Sequence, residues 1–242
     1  MGFYMDGTRL FIVLIPQTIT ILSFAFIAYK ILSRRKDKTS LLLSSFYICM
    51  VIGFIINLIS LSLISLEILV GNLIKVFYYT VFYLILFSFI FLVLFIMSIS
   101  SVNTLTNSKI IASILIIYGI SSFLIVCQPG GIEFIDENYT IYFNTNLMIS
   151  SYIFIFISII IPSFYFSLKS KDKITHPSLK KKYKLFTIGL IVKYLDLYGA
   201  ILYNSWHNPL FRIIWSGITS FLLVVSAFLI YYGVGKNLRP VK

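Results

Sequence analysis

Charge is scarce in this chain: Asp, Glu, Lys and Arg make up 12% of its 242 residues, where soluble domains average about a quarter. Hydrophobic residues reach 59%, and a domain of this size cannot hide that much apolar surface from water. A soluble globular fold is therefore excluded, and lipid is the expected solvent. Cysteine and histidine are nearly absent, at two residues each. Cys49 falls within one apolar run and Cys127 at the end of another. This places them toward opposite membrane faces, too far apart for a disulfide. Gly-x-Ser-x-Gly elbows, phosphate-cradling glycine loops and paired intramembrane carboxylates are all missing. The sequence predicts no catalytic residue, no metal and no cofactor. A cleavable signal peptide is not expected either, because the first apolar run is too long and no small-residue cleavage site follows it.

The apolar runs are what the sequence has in abundance. A helix needs about 20 apolar residues to cross the hydrocarbon core. Seven segments qualify: Leu10–Leu32, Leu41–Leu66, Leu73–Ser101, Ile110–Cys127, Leu147–Leu168, Leu185–Tyr203 and Pro209–Tyr232. Their apolar character is continuous rather than alternating, which argues against barrel strands. Breakers and polar residues separate them, such as Val70-Gly71-Asn72, Gln128-Pro129-Gly130-Gly131 and Asn204 to Pro209. Glu67 to Lys75 must make a very short turn. The expectation is one all-α domain over residues 1–242, a seven-span bundle.

Orientation follows from the basic residues, whose formal excess is +12. Arg34, Arg35, Lys36 and Lys38 fall in the first loop and Lys109 in the third. Lys169, Lys171, Lys173, Lys180, Lys181, Lys182 and Lys184 fall in the fifth, and Lys236, Arg239 and Lys242 in the tail. With seven spans these share one side. The other side holds Arg9, Lys75 and Arg212 with Asp6, Glu67, Glu133, Asp136 and Glu137. The reading is N-terminus outside, C-terminus in the cytoplasm, in the cell membrane of a prokaryote. Clustering between apolar runs also accounts for the basic excess without nucleic acid. His176 and His207 then lie on opposite sides, so no histidine-based metal cluster can assemble.

Two loops are long enough to carry structure. In the outer loop, Gln128–Asn146, the alternation of Ile132, Phe134, Tyr139, Ile141 and Phe143 predicts a small hairpin lid over the helix ends. Asn138-Tyr139-Thr140 matches a glycosylation acceptor, a tripeptide common by chance. The inner loop, Lys169–Lys184, is strongly basic. Attraction to anionic lipid, at about 1 kcal/mol per basic residue, accounts for it. A sharper reading makes Lys180, Lys181, Lys182 and Lys184 a docking surface for an acidic cytoplasmic partner.

Charge inside a span costs about 2.5–3.5 kcal/mol even on lenient scales. Lys193 and Asp196 are the ionisable pair well inside a predicted helix, and at i and i+3 they share a face. The same stripe of the sixth span carries Gly189, Ala200, Asn204 and His207. The seventh span offers Arg212, Ser216, Ser220 and Ala227 with Thr219 beside them. The second offers Gly53, Asn57, Ser60 and Glu67, and the first offers Gln17 beside Pro16. These stripes imply an outward-opening polar cavity capped by the outer loop. Its candidate ligand-binding residues are Lys193, Asp196, Asn204, His207, Arg212, Asn57, Gln17 and Glu67. Two other roles fit the pair: mutual neutralisation that pins the sixth span to its neighbours, or a proton relay.

Seven spans with an outer N-terminus also describe G-protein-coupled receptors. Here the third span ends Ser98-Ile99-Ser100-Ser101 and the seventh Ile230-Tyr231-Tyr232-Gly233, without that family's motifs. Microbial rhodopsins carry their retinal lysine on the last helix, and the seventh span has none. The stretch Leu179-Lys180-Lys181-Lys182-Tyr183-Lys184-Leu185-Phe186-Thr187-Ile188-Gly189, followed by a final helix closing on Ala227-Phe228-Leu229-Ile230-Tyr231-Tyr232-Gly233, resembles the seven-helix sensor regions of prokaryotic, especially archaeal, histidine kinases. The resemblance covers about sixty residues plus the topology and implies a membrane input module. With no kinase domain after Lys242, it implies a separate cytoplasmic signalling partner. Pro16-Gln17 is similar to the signature of PQ-loop sugar transporters, with Pro162 as its counterpart in the fifth span. No second Pro-Gln occurs. Small-solute or ion transport through the Lys193/Asp196 pair is the alternative function.

Overall fold

Backbone N–H and C=O groups in lipid must bond within their own segment, and continuous apolar runs do so as helices. The computed structural model describes residues 7–34, 36–66, 72–100, 107–134, 141–172, 174 and 176–234. Its helices are α1 (Gly7–Arg34), α2 (Lys38–Ser65), α3 (Asn72–Ile99), α4 (Ser108–Val126), α5 (Thr145–Ile155), α6 (Ile161–Asp172), α7 (Pro177–Ser205) and α8 (Pro209–Gly233). A wide turn, Phe156–Ile160, joins α5 to α6 into one span. Among the described residues, seven helical segments are therefore long and apolar enough to cross a membrane, as the apolar runs predict.

The ends differ from expectation in one direction. Every helix outlasts its apolar run except at the close of α2, α3 and α4 and at the start of α8, which coincides with its run. Most of the predicted inner loop Lys169–Lys184 is helical, because α6 continues to Asp172 and α7 starts at Pro177. The apolar run measures only the part of a helix in oil. Lysine is a good helix former, so the helix carries on into the polar zone. Capping residues set the true starts. Asp37, Asn144 and Asn208 each accept a backbone N–H from the first turn of α2, α5 and α8, and Pro177 and Pro209 open α7 and α8. The Glu67 to Lys75 turn lies outside the described residues up to position 71, as do Glu67, Asn138 and Tyr139.

Packing follows chain order. Each of α1 to α4 touches the next, α4 meets α5, α5 meets α7, α7 pairs closely with α8, and α8 returns to α1. The third span also reaches α6, and α3 and α7 are the most buried spans. Between α7 and α8 the backbones nearly touch. A Cβ at Gly233 would fall within 2.6 Å of the Phe186 backbone nitrogen, and one at Gly189 within 2.9 Å of the Leu229 Cβ. Small residues that admit such contact are how helices associate when lipid supplies no hydrophobic drive.

The predicted hairpin is present. Strands β1 (Ile132–Phe134) and β2 (Ile141–Phe143) pair antiparallel, with Ile132 opposite Phe143. Gln128-Pro129-Gly130-Gly131 leads into it as a tight turn: Gly131 N–H donates to the Gln128 carbonyl at 2.9 Å, and Gly130 takes a φ of +67°. Proline second and glycine third is what that turn geometry demands. Phe143 is buried, its ring 4.9 Å from that of Phe82 on α3. The hairpin also touches α7, so it covers that end of the bundle.

Candidate functional site

The Lys193 and Asp196 side chains meet at mid-height of α7, roughly 24–29 Å along the helix from Pro177. Nζ lies 3.6 Å from Oδ2, with the residues 1% and 4% exposed. The other carboxylate oxygen, Oδ1, accepts a 2.7 Å hydrogen bond from Thr219 Oγ1 on α8. The ammonium also sits 5.4 Å from the ring centre of Phe24 on α1 and 5.8 Å from that of Phe89 on α3. A desolvated cation over an aromatic face gains about 2 kcal/mol. One lysine thus bonds α7 electrostatically to α1 and α3, while its partner carboxylate bonds α7 to α8. Taking a single charge away would strand the other in oil.

This centre is closed by packing. The Phe24 ring meets Tyr47 and Phe54 of α2 edge-on at 5.5 and 6.0 Å, and Tyr47 donates across the bundle to the Ala227 carbonyl at 3.0 Å. Tyr194, beside Lys193, packs 6.1 Å from Phe89 and donates to Ser163 Oγ at 2.6 Å. Lys193 and Asp196 therefore occupy a buried centre, whereas the predicted arrangement gives them an open outward cavity. Aromatic side chains from three other spans supply the walls, and a one-dimensional stripe does not show them.

The other candidates are dispersed toward the hairpin end. Gln17 is buried and donates to the Phe54 carbonyl at 3.1 Å, an α1–α2 tie. Asn57 is half-buried on α2. Asn204 donates to the Ala200 carbonyl of its own helix at 3.0 Å. His207 leaves the predicted stripe, because α7 ends at Ser205; its ring is exposed and packs 4.9 Å from Tyr142 of β2. Arg212 lays its guanidinium 4.8 Å from the Tyr203 ring. On α8 the predicted stripe is off by one position: Ser216 is exposed and bonds to Ile213, while Thr219 faces α7. Lys180, Lys181 and Lys184 are exposed and Lys182 half-buried, all in the first turns of α7.

Two further features escape sequence reading. Ser163, Ser167 and Ser170 of α6 are buried; Ser167 accepts from Tyr183 at 3.0 Å, and Ser170 meets Ser100 of α3 at 2.6 Å. The i, i+4, i+7 spacing of these serines is a weak signal, because hydroxyls also bond harmlessly within their own helix. Secondly, three buried polar atoms have no hydrogen-bond partner among the described residues: Ser60 Oγ, Ser151 Oγ and Trp215 Nε1. All three lie in the half of the bundle under the hairpin, roughly 8–9 Å from their helix ends. The chain matches no known protein family, no curated protein and no solved structure.

Proposed function

We propose that the chain is a receptor-like membrane sensor, with its N-terminus outside and its C-terminus in the cytoplasm of a prokaryotic cell. It senses a small molecule at the hairpin end and signals to a separate cytoplasmic partner at the basic end. The observation that carries this reading is the reach of α7. One helix starts with Lys180 to Lys184, holds the Lys193–Asp196 pair and touches the hairpin. A buried charge pair tied to three other helices is suited to biasing a two-state bundle, since moving one partner changes every tie at once. The exposed lysines are suited to an acidic protein surface.

The test needs no ligand. A lone cysteine at position 181, with Cys49 and Cys127 changed to serine, is labelled in proteoliposomes with and without Asp196→Asn. Coupling predicts a severalfold change in labelling rate, and an unchanged rate removes the link between centre and basic end. Transport is the second reading, favoured by the wide turn before Pro162, since interrupted spans line solute paths. It predicts tracer counterflow of labelled benzoate abolished by Asp196→Asn. The sensor predicts background flux.

A further inference from the structure

Helix α8 sets three side chains on the face that meets α7. Arg212 stacks on Tyr203, Trp215 lies on Gly199, and Thr219 bonds Asp196. Their i, i+3, i+7 spacing makes a polar file leading from the start of α8 down to the buried pair. Thr219 has its acceptor. The two outer members are donors without one. Among the described residues, no carboxylate or carbonyl accepts from the Arg212 guanidinium, and the Trp215 indole N–H is buried without an acceptor. The indole lays the edge of its six-membered ring against α7, because a Cβ at Gly199 would run into Cζ2, Cη2 and Cε2.

A buried donor left without an acceptor costs about 1–3 kcal/mol, and an arginine fork matches a carboxylate's two oxygens. The surroundings are apolar: Phe211 stacks on Trp215 at 5.7 Å and lies tilted against Trp206 at 5.3 Å. The site lies in the first two turns of α8, where the helix dipole favours negative charge. We propose that Arg212 and Trp215 bind a small organic carboxylate with an apolar body. The carboxylate takes the guanidinium and the indole N–H, and the body lies against the aromatic rings. The assignment deepens the sensor reading by naming its ligand class.

The full-length protein in nanodiscs, carrying Trp206→Phe so that Trp215 is the sole indole, is titrated with acetate, hexanoate, benzoate and oleate at constant ionic strength. Hexanamide and benzamide are the uncharged controls. The expected result is a saturable change in Trp215 emission and a rise in Tm with at least one carboxylate and neither amide. A response confined to oleate assigns the source to the bilayer, and one to the soluble acids assigns it to water; either supports the site. Arg212→Gln abolishes the response. Arg212→Lys weakens it, and Trp215→Phe, followed by calorimetry, weakens binding about tenfold or more. Equal responses to acid and amide, no response to any acid, or undiminished binding by Arg212→Gln would overturn the proposal. So would binding that emerges only after Glu67, Asp136 and Glu137 are neutralised, because the acceptor would then be the chain's own. Failure here leaves the labelling test at position 181 standing, so the two readings fail separately.

Discussion

Gly199 of α7 and Trp215 of α8 are in contact so close that the indole occupies the space a side chain at position 199 would need. The contact lies between the Arg212–Tyr203 stack and the Thr219–Asp196 bond. It therefore sets the distance between two helices at the level where the charged centre begins.

Gly199→Ala should destabilise the protein by about 1–3 kcal/mol, the usual cost of overpacking a filled site. Trp215→Ala in the same chain should recover part of that loss by opening room. Unfolding in mixed micelles, scored as a double-mutant cycle, measures the coupling. Additive effects would mean that the contact does not constrain the pair.

Lys193→Met and Asp196→Leu should each cost about 3–5 kcal/mol, because each leaves one buried charge unmatched. The double substitution should return close to wild-type stability while losing the effect on position 181. A double variant that keeps full coupling would reduce the pair to glue between helices.

How far these residues could be foreseen depends on the dimension each property lives in. Span number, the hairpin and the Lys193–Asp196 pair are properties of sequence distance: runs of apolar residues, two-residue alternation and an i, i+3 spacing. The walls around Lys193 are not. Phe24 and Phe89 are two among 23 phenylalanines, and only the closing of α8 onto α1 brings one of them over the ammonium. The α8 stripe differs from expectation for a related reason. Ser216 and Thr219 differ by less than one turn, and which of them faces α7 is fixed by the tight Gly199–Trp215 contact. The lysine-rich segment is helical where its sequence suggests a loop, because polarity marks exposure equally well in a helix and in a loop.

Phe143→Ala should detach the hairpin from α3. The buried ring packs on Phe82, and its loss should cost about 3 kcal/mol. Limited proteolysis in intact vesicles should then cut between positions 131 and 144 faster than in wild type, with the helices still folded. An unchanged cutting rate would show that Ile132 alone anchors the strands.

The orientation is open to direct labelling. Glu133 and Lys181 are both exposed, one on β1 and one on α7. With an impermeant thiol reagent, a cysteine at 133 should react in whole cells and one at 181 only after permeabilisation. The reverse pattern would invert the bundle.

The wide turn at Phe156–Ile160, where the Ile161 N–H reaches back five residues to the Phe156 carbonyl, has a consequence for angular phase. The buried positions of this span run Leu147, Ser151, Ile155, Ile159, Ser163 and Ser167. Each four-residue step in a regular helix overshoots a full turn by roughly 40°, so five such steps would sweep a side chain about 200° round, to the lipid side. The widened turn holds back part of that rotation, which leaves the serines of α6 aimed at Tyr183 and Tyr194. Deleting one residue there, such as Ile157, should restore regular winding, turn the hydroxyls toward the bilayer and release both tyrosines together.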